Sequence, residues 1–113
     1  MKISLDKKLL RIYLDNTDEY NKEPLWKFIL KEAQEKGLSG ATVYKAVAGI
    51  GSNKELHTFD ILNLSQTMPL IIEIIDSKDK ITNFLKYSKE FLQNTFITLA
   101  DLEVVSFEDK NES

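Results

Sequence analysis

The sequence predicts an α+β fold in which two helices cover one face of a four-stranded antiparallel sheet. Its 113 residues are enough for one domain with its own core. Apolar residues recur with the period of a strand in four segments and with the period of a helix in two others. The segments follow the order strand, helix, strand, strand, helix, strand, so each half of the chain is a strand–helix–strand unit.

The first half of the chain begins with a strand at residues 9–14, where apolar side chains alternate. A helix follows from Pro24, because the first helical position needs no partner for the N–H that proline lacks. Gly37 ends this helix, since glycine readily adopts the left-handed conformation found after helix ends. A second strand is predicted at residues 41–48. The apolar face of the helix consists of Leu25, Phe28, Ile29 and Ala33.

The second half of the chain begins with a strand at residues 69–75 that is apolar on both faces. Asp76 or Ser77 caps the helix that follows, because either side chain can accept a hydrogen bond from the first free N–H groups. The last strand covers residues 96–107, and we expect it to break near residues 100–101. The core side of the second helix consists of Ile81, Phe84, Leu85, Ser88 and Leu92.

Right-handed crossovers in both units place the two helices on the same face of the sheet, which gives the ferredoxin-like βαββαβ sandwich. We expect a single domain over residues 1–113, with an ordered core over about residues 8–107. A long loop is expected over about residues 49–68. Loops of such length in small domains are usually functional or disordered.

The sheet face away from the helices is predicted to be too apolar to remain in water. It carries Ile71 and Ile75 from the third strand, Leu9 and Tyr13 from the first, and Tyr44 from the second. Large exposed apolar patches usually mark an interface. We therefore expect other copies of the chain to cover this face. The alternative is a tail or a helix that folds back across it.

Glu73 lies among the apolar residues of the third strand. If copies of the chain cover the sheet, its charge needs a cationic partner, and Arg11 or Lys45 of the same or a neighbouring copy could supply it. The alternative is that Glu73 lies at the rim of the interface and remains hydrated.

The composition excludes several functional classes. A net charge of -3 with mixed signs argues against a nucleic-acid partner, which usually requires a basic face. No apolar run approaches the ~20 residues that cross a bilayer, so membrane insertion is not expected, and the N-terminus lacks the apolar part of a signal peptide. The absence of cysteine excludes disulfides and thiolate metal sites, and it fits a cytoplasmic location.

The start of the long loop has features of a phosphate-binding loop. Gly49, Gly51 and Ser52 could bring backbone N–H groups close to an anion, and Lys54 could add positive charge. The motif matches neither the dinucleotide fingerprint nor the Walker sequence. The alternative is that the glycines only allow the strand to turn into the loop.

His57 is the one histidine of the sequence and could serve as a ligand contact, a proton switch or a metal ligand. Asp15, Asp18 and Glu19 form an acidic cluster whose spacing differs from that of a calcium loop and favours a solvated turn. No pattern identifies catalytic residues or a metal site. The ligand-binding residues that we predict are Gly49, Gly51, Ser52, Lys54 and His57.

Several short motifs occur in the order found in a known family. They are RIYL at residues 11–14, PL at 24–25, LSGATVYK at 38–45, GIGS at 49–52, HT at 57–58, LS at 64–65, MPL at 68–70 and EIID at 73–76. In these motifs the chain resembles a PII-like family of uncharacterised proteins, domain-of-unknown-function group 190. The resemblance extends from about residue 9 to about residue 107.

The resemblance implies a ferredoxin-like subunit that assembles as a homotrimer. It also implies that the long loop corresponds to the T-loop of nitrogen-regulatory PII proteins, which contacts target proteins. In those proteins small effectors, including adenine nucleotides, bind in clefts between subunits near the base of that loop. On this chain, Gly49, Gly51 and Ser52 would form the loop base.

The function that this resemblance implies is a cytoplasmic PII-like signalling or adaptor protein rather than an enzyme. An adenine nucleotide or another small anionic effector would bind between subunits, and the loop would contact a target protein. One alternative is a small enzyme that uses the same cleft with His57 as acid or base. The other is a metal-responsive trimer resembling the CutA group.

Overall fold

A computed structural model describes residues 1–50, 54–58 and 66–107 of the chain. In these residues, the elements are β1 Lys2–Asp15, β2 Glu19–Tyr20, β3 Glu23–Pro24, α1 Leu25–Glu35, β4 Ala41–Lys45, β5 Ala48–Ile50, β6 Leu56–Thr58, β7 Pro69–Ser77, α2 Lys78–Tyr87 and β8 Phe96–Ser106. Four of these strands form one sheet in the order β4-β7-β1-β8, and every neighbouring pair is antiparallel. Together with the two helices described, this confirms the ferredoxin-like sandwich.

The core lies between the helices and one face of the sheet. Strand residues alternate between the two faces, and the even-numbered residues of β1 and β7 point to the helices. Leu10, Ile12, Ile72 and Ile74 are fully buried as a result. Burial of each such side chain contributes roughly 1.5–3 kcal/mol. The helical residues that pack on them are Leu25, Ile29, Ala33, Ile81 and Phe84.

Asp76 and Ser77 have different roles at the N-terminal end of α2. The hydroxyl of Ser77 accepts a hydrogen bond from the N–H of Lys80 at 3.3 Å, so Ser77 is the N-cap. Asp76 is buried, and its carboxylate accepts hydrogen bonds from the N–H and the hydroxyl of Ser39 and from the N–H of Ser77. Asp76 therefore connects the segment between α1 and β4 with the start of α2.

The long first and last strands differ from the prediction. β1 begins at Lys2 rather than at residue 9, because β8 pairs with it along almost its whole length. β8 is continuous through residues 100–101, where a break was predicted. The irregularity lies in β1 instead, where Leu5 and Asp6 oppose Glu103 as a β-bulge. Pairing with a distant strand decided both features, because the short alternation of Ile3 and Leu5 with polar neighbours does not by itself set the start of β1.

The second predicted strand is divided in two. β4 ends at Lys45 and pairs with β7, and β5 then turns away to pair with β6. The N–H of Ala46 still donates to the carbonyl of Pro69 at 3.0 Å, so the break lies directly beside the start of β7. None of the helices in the described part of the chain is long and apolar enough to cross a membrane.

Candidate functional site: the open sheet face and the loop base

The sheet face opposite the helices, which we call the open face, is arranged in rows that run across the strands. Its first row is aromatic and aliphatic, with Tyr13 and Phe96 in edge-to-face contact at 5.5 Å between ring centroids. Phe96 is 67% exposed and Tyr44 is 49% exposed. From β4 to β8, this first row consists of Tyr44, Ile71, Tyr13 and Phe96.

A second apolar row lies four residues further along each strand and consists of Ile75, Leu9 and Ala100. Ile75 is 41% exposed. Within the described ranges the helices pack against the other side of the sheet, so the open face remains in contact with water. This agrees with the predicted apolar surface.

A polar row separates the two apolar rows. The Nε of Arg11 donates a hydrogen bond to Oε2 of Glu73 at 2.8 Å, and Thr42 and Thr98 flank the pair on the outer strands. Arg11 is thus one of the two partners predicted for Glu73. The hydrogen bond to Glu73 is the main cause that raises the pKa of the Arg11 guanidinium above its ordinary value, so Arg11 carries its positive charge at neutral pH.

The loop base joins the open face at one end of the sheet. Asp15 pairs with Pro69, which is the next same-face pair after Tyr13 and Ile71. Gly49 lies against this pair, because a Cβ on Gly49 would meet Cγ of Pro69 at 3.0 Å. Glycine therefore allows a close backbone approach to the sheet here, where a side chain would press on the proline ring.

The predicted ligand-binding residues are brought together in part. Gly49 pairs directly with His57 across the β5–β6 ribbon. Lys54 lies between these strands in sequence and is exposed, with a left-handed φ of 65°. Gly51 and Ser52 lie outside the described residues, so their place at the loop base stays a prediction.

His57 also lies within electrostatic reach of Asp15. Burial is the largest cause that raises the pKa of Asp15 above its ordinary value of 3.8, and the charge of Asp18 raises it further. The charge of His57 has the opposite effect on this pKa. Asp15 and His57 therefore lie within electrostatic range of each other, although they are far apart in sequence.

Two side chains that no sequence motif singles out hold the returning end of the loop. The side-chain amide of Asn16 donates to the carbonyl of Gln66 at 3.1 Å and accepts from the N–H of Met68 at 2.8 Å. The side-chain amide of Gln66 donates in turn to the carbonyl of Thr58 on β6. An asparagine directly after a strand is typical of a side chain that bonds to nearby backbone, and this was the available signal.

The acidic cluster of the first loop has a structural role at Asp18. Its carboxylate accepts from the N–H of Asp15 at 2.9 Å, and its carbonyl accepts from the N–H of Leu25 at 2.8 Å. These bonds close a turn that leads into α1, as the predicted turn requires. In the residues that the structure describes, no group of three or more His, Asp or Glu side chains could hold a metal ion.

Comparison with known proteins identifies relatives over most of the chain. The profile of the DUF190 family, described as Uncharacterized ACR, matches residues 7–104. A UPF0166 protein of Aquifex aeolicus (strain VF5) is 41% identical over 99 residues, which are 88% of this chain and 93% of that protein.

Solved structures show the same fold at low sequence identity. CPII of Thiomonas intermedia K12, a nitrogen regulatory PII-like protein bound to ADP, AMP and bicarbonate, superposes with a TM-score of 0.68 at 16% identity. The match covers 93% of this chain and 100% of that one. The divalent ion tolerance protein CutA1 of Ehrlichia chaffeensis superposes with a TM-score of 0.58 at 14% identity, over 94% of this chain and 88% of that one.

Proposed function

This chain belongs to the DUF190 family, and we propose that it is a cytoplasmic PII-like signalling adaptor. Copies of the chain assemble as a homotrimer through their open faces, and a small effector binds in the clefts between them. The effector changes the conformation of the loop over about residues 49–68, and this loop contacts a target protein. The observation that carries the proposal is that the first apolar row of the open face lies directly beside the loop base, at Asp15 and Pro69.

The open face supplies the driving force for assembly. Complete burial of one large apolar side chain contributes roughly 1.5–3 kcal/mol, and Tyr44, Ile75 and Phe96 are each between two-fifths and two-thirds exposed. Their burial has to exceed the loss of translational and rotational freedom, which costs about 4–15 kcal/mol for each association step. Several apolar residues per face, rather than one, are therefore needed, and the two apolar rows provide them.

The loop base supplies the groups that an anionic effector requires. Gly49 gives close backbone access, His57 pairs with it across the ribbon and offers its ring nitrogens, and Lys54 adds positive charge between β5 and β6 in sequence. Gly51 and Ser52 complete the proposed site. The ADP and AMP bound to CPII support an adenine nucleotide as the first effector to test.

The proposal is tested by sedimentation and calorimetry on the purified chain. We expect trimers at micromolar concentration and saturable binding of ADP or AMP. Lys54→Ala and His57→Ala should each weaken nucleotide binding by about tenfold, the usual effect of removing a hydrogen bond to a charged group. Lys22→Ala is the matched control, because Lys22 is exposed with the same φ of 65° but lies in the turn between β2 and β3. Monomers throughout, or equal effects of the three substitutions, would contradict the proposal.

The second candidate is a small enzyme in which His57 acts as acid or base. It is favoured by one observation, the electrostatic contact of His57 with Asp15 at the loop base. The two functions are distinguished by Asp15→Asn. An enzyme of this kind would lose turnover of a bound small molecule, whereas the adaptor would keep nucleotide binding within about threefold of the wild type. The CutA-like alternative is tested separately by elemental analysis of the purified protein for bound metal.

A further inference from the structure

We infer that the Arg11–Glu73 ion pair fixes the register in which copies of this chain meet across their open faces, with each copy's pair contacting that of its neighbour. This inference rests on the proposed self-association, and it assigns to two residues a role in choosing the partner and its alignment. The surface it concerns is the polar row described above, with its apolar row on either side.

The position of the pair is central on the open face. Arg11 and Glu73 lie on the two inner strands, β1 and β7, and are paired directly with each other in the sheet. The Arg11 side chain is 43% exposed and the Glu73 side chain is 22% exposed. Any molecule that covers the apolar rows must therefore also cover this pair and remove much of its remaining water.

The pair has capacity for further partners. A guanidinium carries five N–H donors, and a carboxylate can accept about four hydrogen bonds. The bond from Nε of Arg11 to Oε2 of Glu73 uses only part of either group. Two charges taken from water are costly unless additional hydrogen bonds satisfy them, so a covering surface has to offer both an acceptor and a donor at this place.

A second copy of the chain offers both. The open face presents one positive and one negative group side by side, so its polar row is neutral and is complementary to another copy of itself. A partner of strongly positive or negative charge would match only one of the two groups. Charge complementarity therefore favours a copy of this chain as the occupant.

The rows also make a shifted alignment unfavourable. Same-face residues of a strand are about 6.6–6.8 Å apart. A displacement of one copy by that distance would place its charges against the row of Tyr13 and Ile71 or the row of Leu9 and Ile75. The pair would then be buried with only its internal hydrogen bond, and its remaining donors and acceptors would face apolar side chains, which is destabilising for a buried ion pair.

The experiment uses charge reversal followed by mixing. Arg11→Glu gives a face with two negative groups, and Glu73→Arg gives a face with two positive groups. Oligomers of each variant alone should dissociate at a chain concentration at least about tenfold higher than the concentration at which wild-type oligomers dissociate, as measured by sedimentation equilibrium. An equimolar mixture of the two should form mixed oligomers that are tighter than those of either variant, because opposite charges now meet between copies.

Lys31→Glu is the matched control, because it reverses one charge of the 3.2 Å ion pair between Lys31 on α1 and Glu23 on β3, away from the open face. It should associate like the wild type. If a reversal variant does not fold, as judged by circular dichroism, Glu73→Gln replaces it and should still raise the dissociation concentration about threefold or more.

The outcomes separate this inference from the function on which it rests. Wild-type trimers together with reversal variants that associate normally, or a mixture no tighter than its components, would overturn the register role and leave self-association standing. A wild-type chain that remains monomeric would overturn the proposed function itself.

Discussion

The buried carboxylate of Asp76 joins both helical crossovers, and its substitution should be costly. Asp76 is 5% exposed, and it accepts hydrogen bonds from the N–H of Ser39 at 2.8 Å, from the hydroxyl of Ser39 at 2.7 Å and from the N–H of Ser77 at 2.7 Å. Hydrogen bonds to a charged acceptor contribute about 1.5–3 kcal/mol each. This carboxylate thus connects the segment after α1, the end of β7 and the cap of α2.

Asp76→Asn tests this connection with little change in shape. The amide keeps one acceptor oxygen but turns its NH₂ group toward a backbone or hydroxyl donor, so at least one hydrogen bond is lost and two donors face each other. We expect the free energy of unfolding to fall by about 2–4 kcal/mol. Ser39→Ala removes only the hydroxyl bond and should cost about 1–2 kcal/mol, so it serves as the graded control.

The effect of pH gives an independent check of the same carboxylate. Burial acts to raise the pKa of Asp76, but hydrogen bonds from Ser39 and Ser77, with the charge of Lys80, outweigh it and hold the pKa below its ordinary value of 3.8. A carboxyl of this kind stabilises the fold fully above its unfolded pKa, and the contribution is lost as the pH falls through the folded pKa. The difference in the free energy of unfolding between wild type and Asp76→Asn should be constant between about pH 7 and pH 5 and should shrink below about pH 4.

Urea denaturation followed by the fluorescence of Trp26 measures both effects. The chain concentration is held constant, because association adds to the apparent stability. The proposed role of Asp76 would be refuted if the free energy of unfolding of Asp76→Asn lay within about 0.5 kcal/mol of the wild-type value near neutral pH. It would also be refuted if the difference between the two proteins widened on acidification.

Three further substitutions test the core and the loop base. Ile29→Ala should lower the free energy of unfolding by about 2–5 kcal/mol in urea denaturation, because Ile29 is fully buried against the sheet. Asn16→Ala should cost about 1–2 kcal/mol and should accelerate hydrogen exchange of the Met68 N–H, which would lose its acceptor. Gly49→Val should cost about 1–3 kcal/mol, because the new side chain would collide with the ring of Pro69. An unchanged exchange rate in Asn16→Ala, or unchanged stability in the other two, would contradict the corresponding contact.

The apolar periodicity was sufficient to predict the element order and the core, but not the limits of the strands. Alternation places Ile12 and Ile72 on the side opposite Tyr13 and Ile71, and both are fully buried against the helices. Lys2 belongs to β1 because β8 pairs with it, since the short alternation of Ile3 and Leu5 with polar neighbours does not by itself set where the strand begins. Pairing energy between distant segments, rather than local propensity, set that boundary.

The candidate site shows the same division. The sequence suggested Gly49 and His57 as separate candidates, and it suggested Arg11 as a partner for Glu73 from charge balance. It did not indicate that Gly49 faces His57, that Pro69 closes the space beside Gly49, or that Asn16 holds the end of the loop. Those contacts join residues about eight to more than fifty positions apart, and periodicity carries no information about such pairs.

The sequence by itself determined that this chain forms a ferredoxin-like sandwich with an apolar outer sheet face. Apolar side chains leave water and polar side chains remain in it, so the period at which apolar residues recur identifies each element and its buried side. Only the tertiary structure decided how that face is divided into apolar and polar rows and which side chains meet at the loop base. The physical reason is strand register: a displacement of one residue keeps the composition of the chain and changes every neighbour across the sheet.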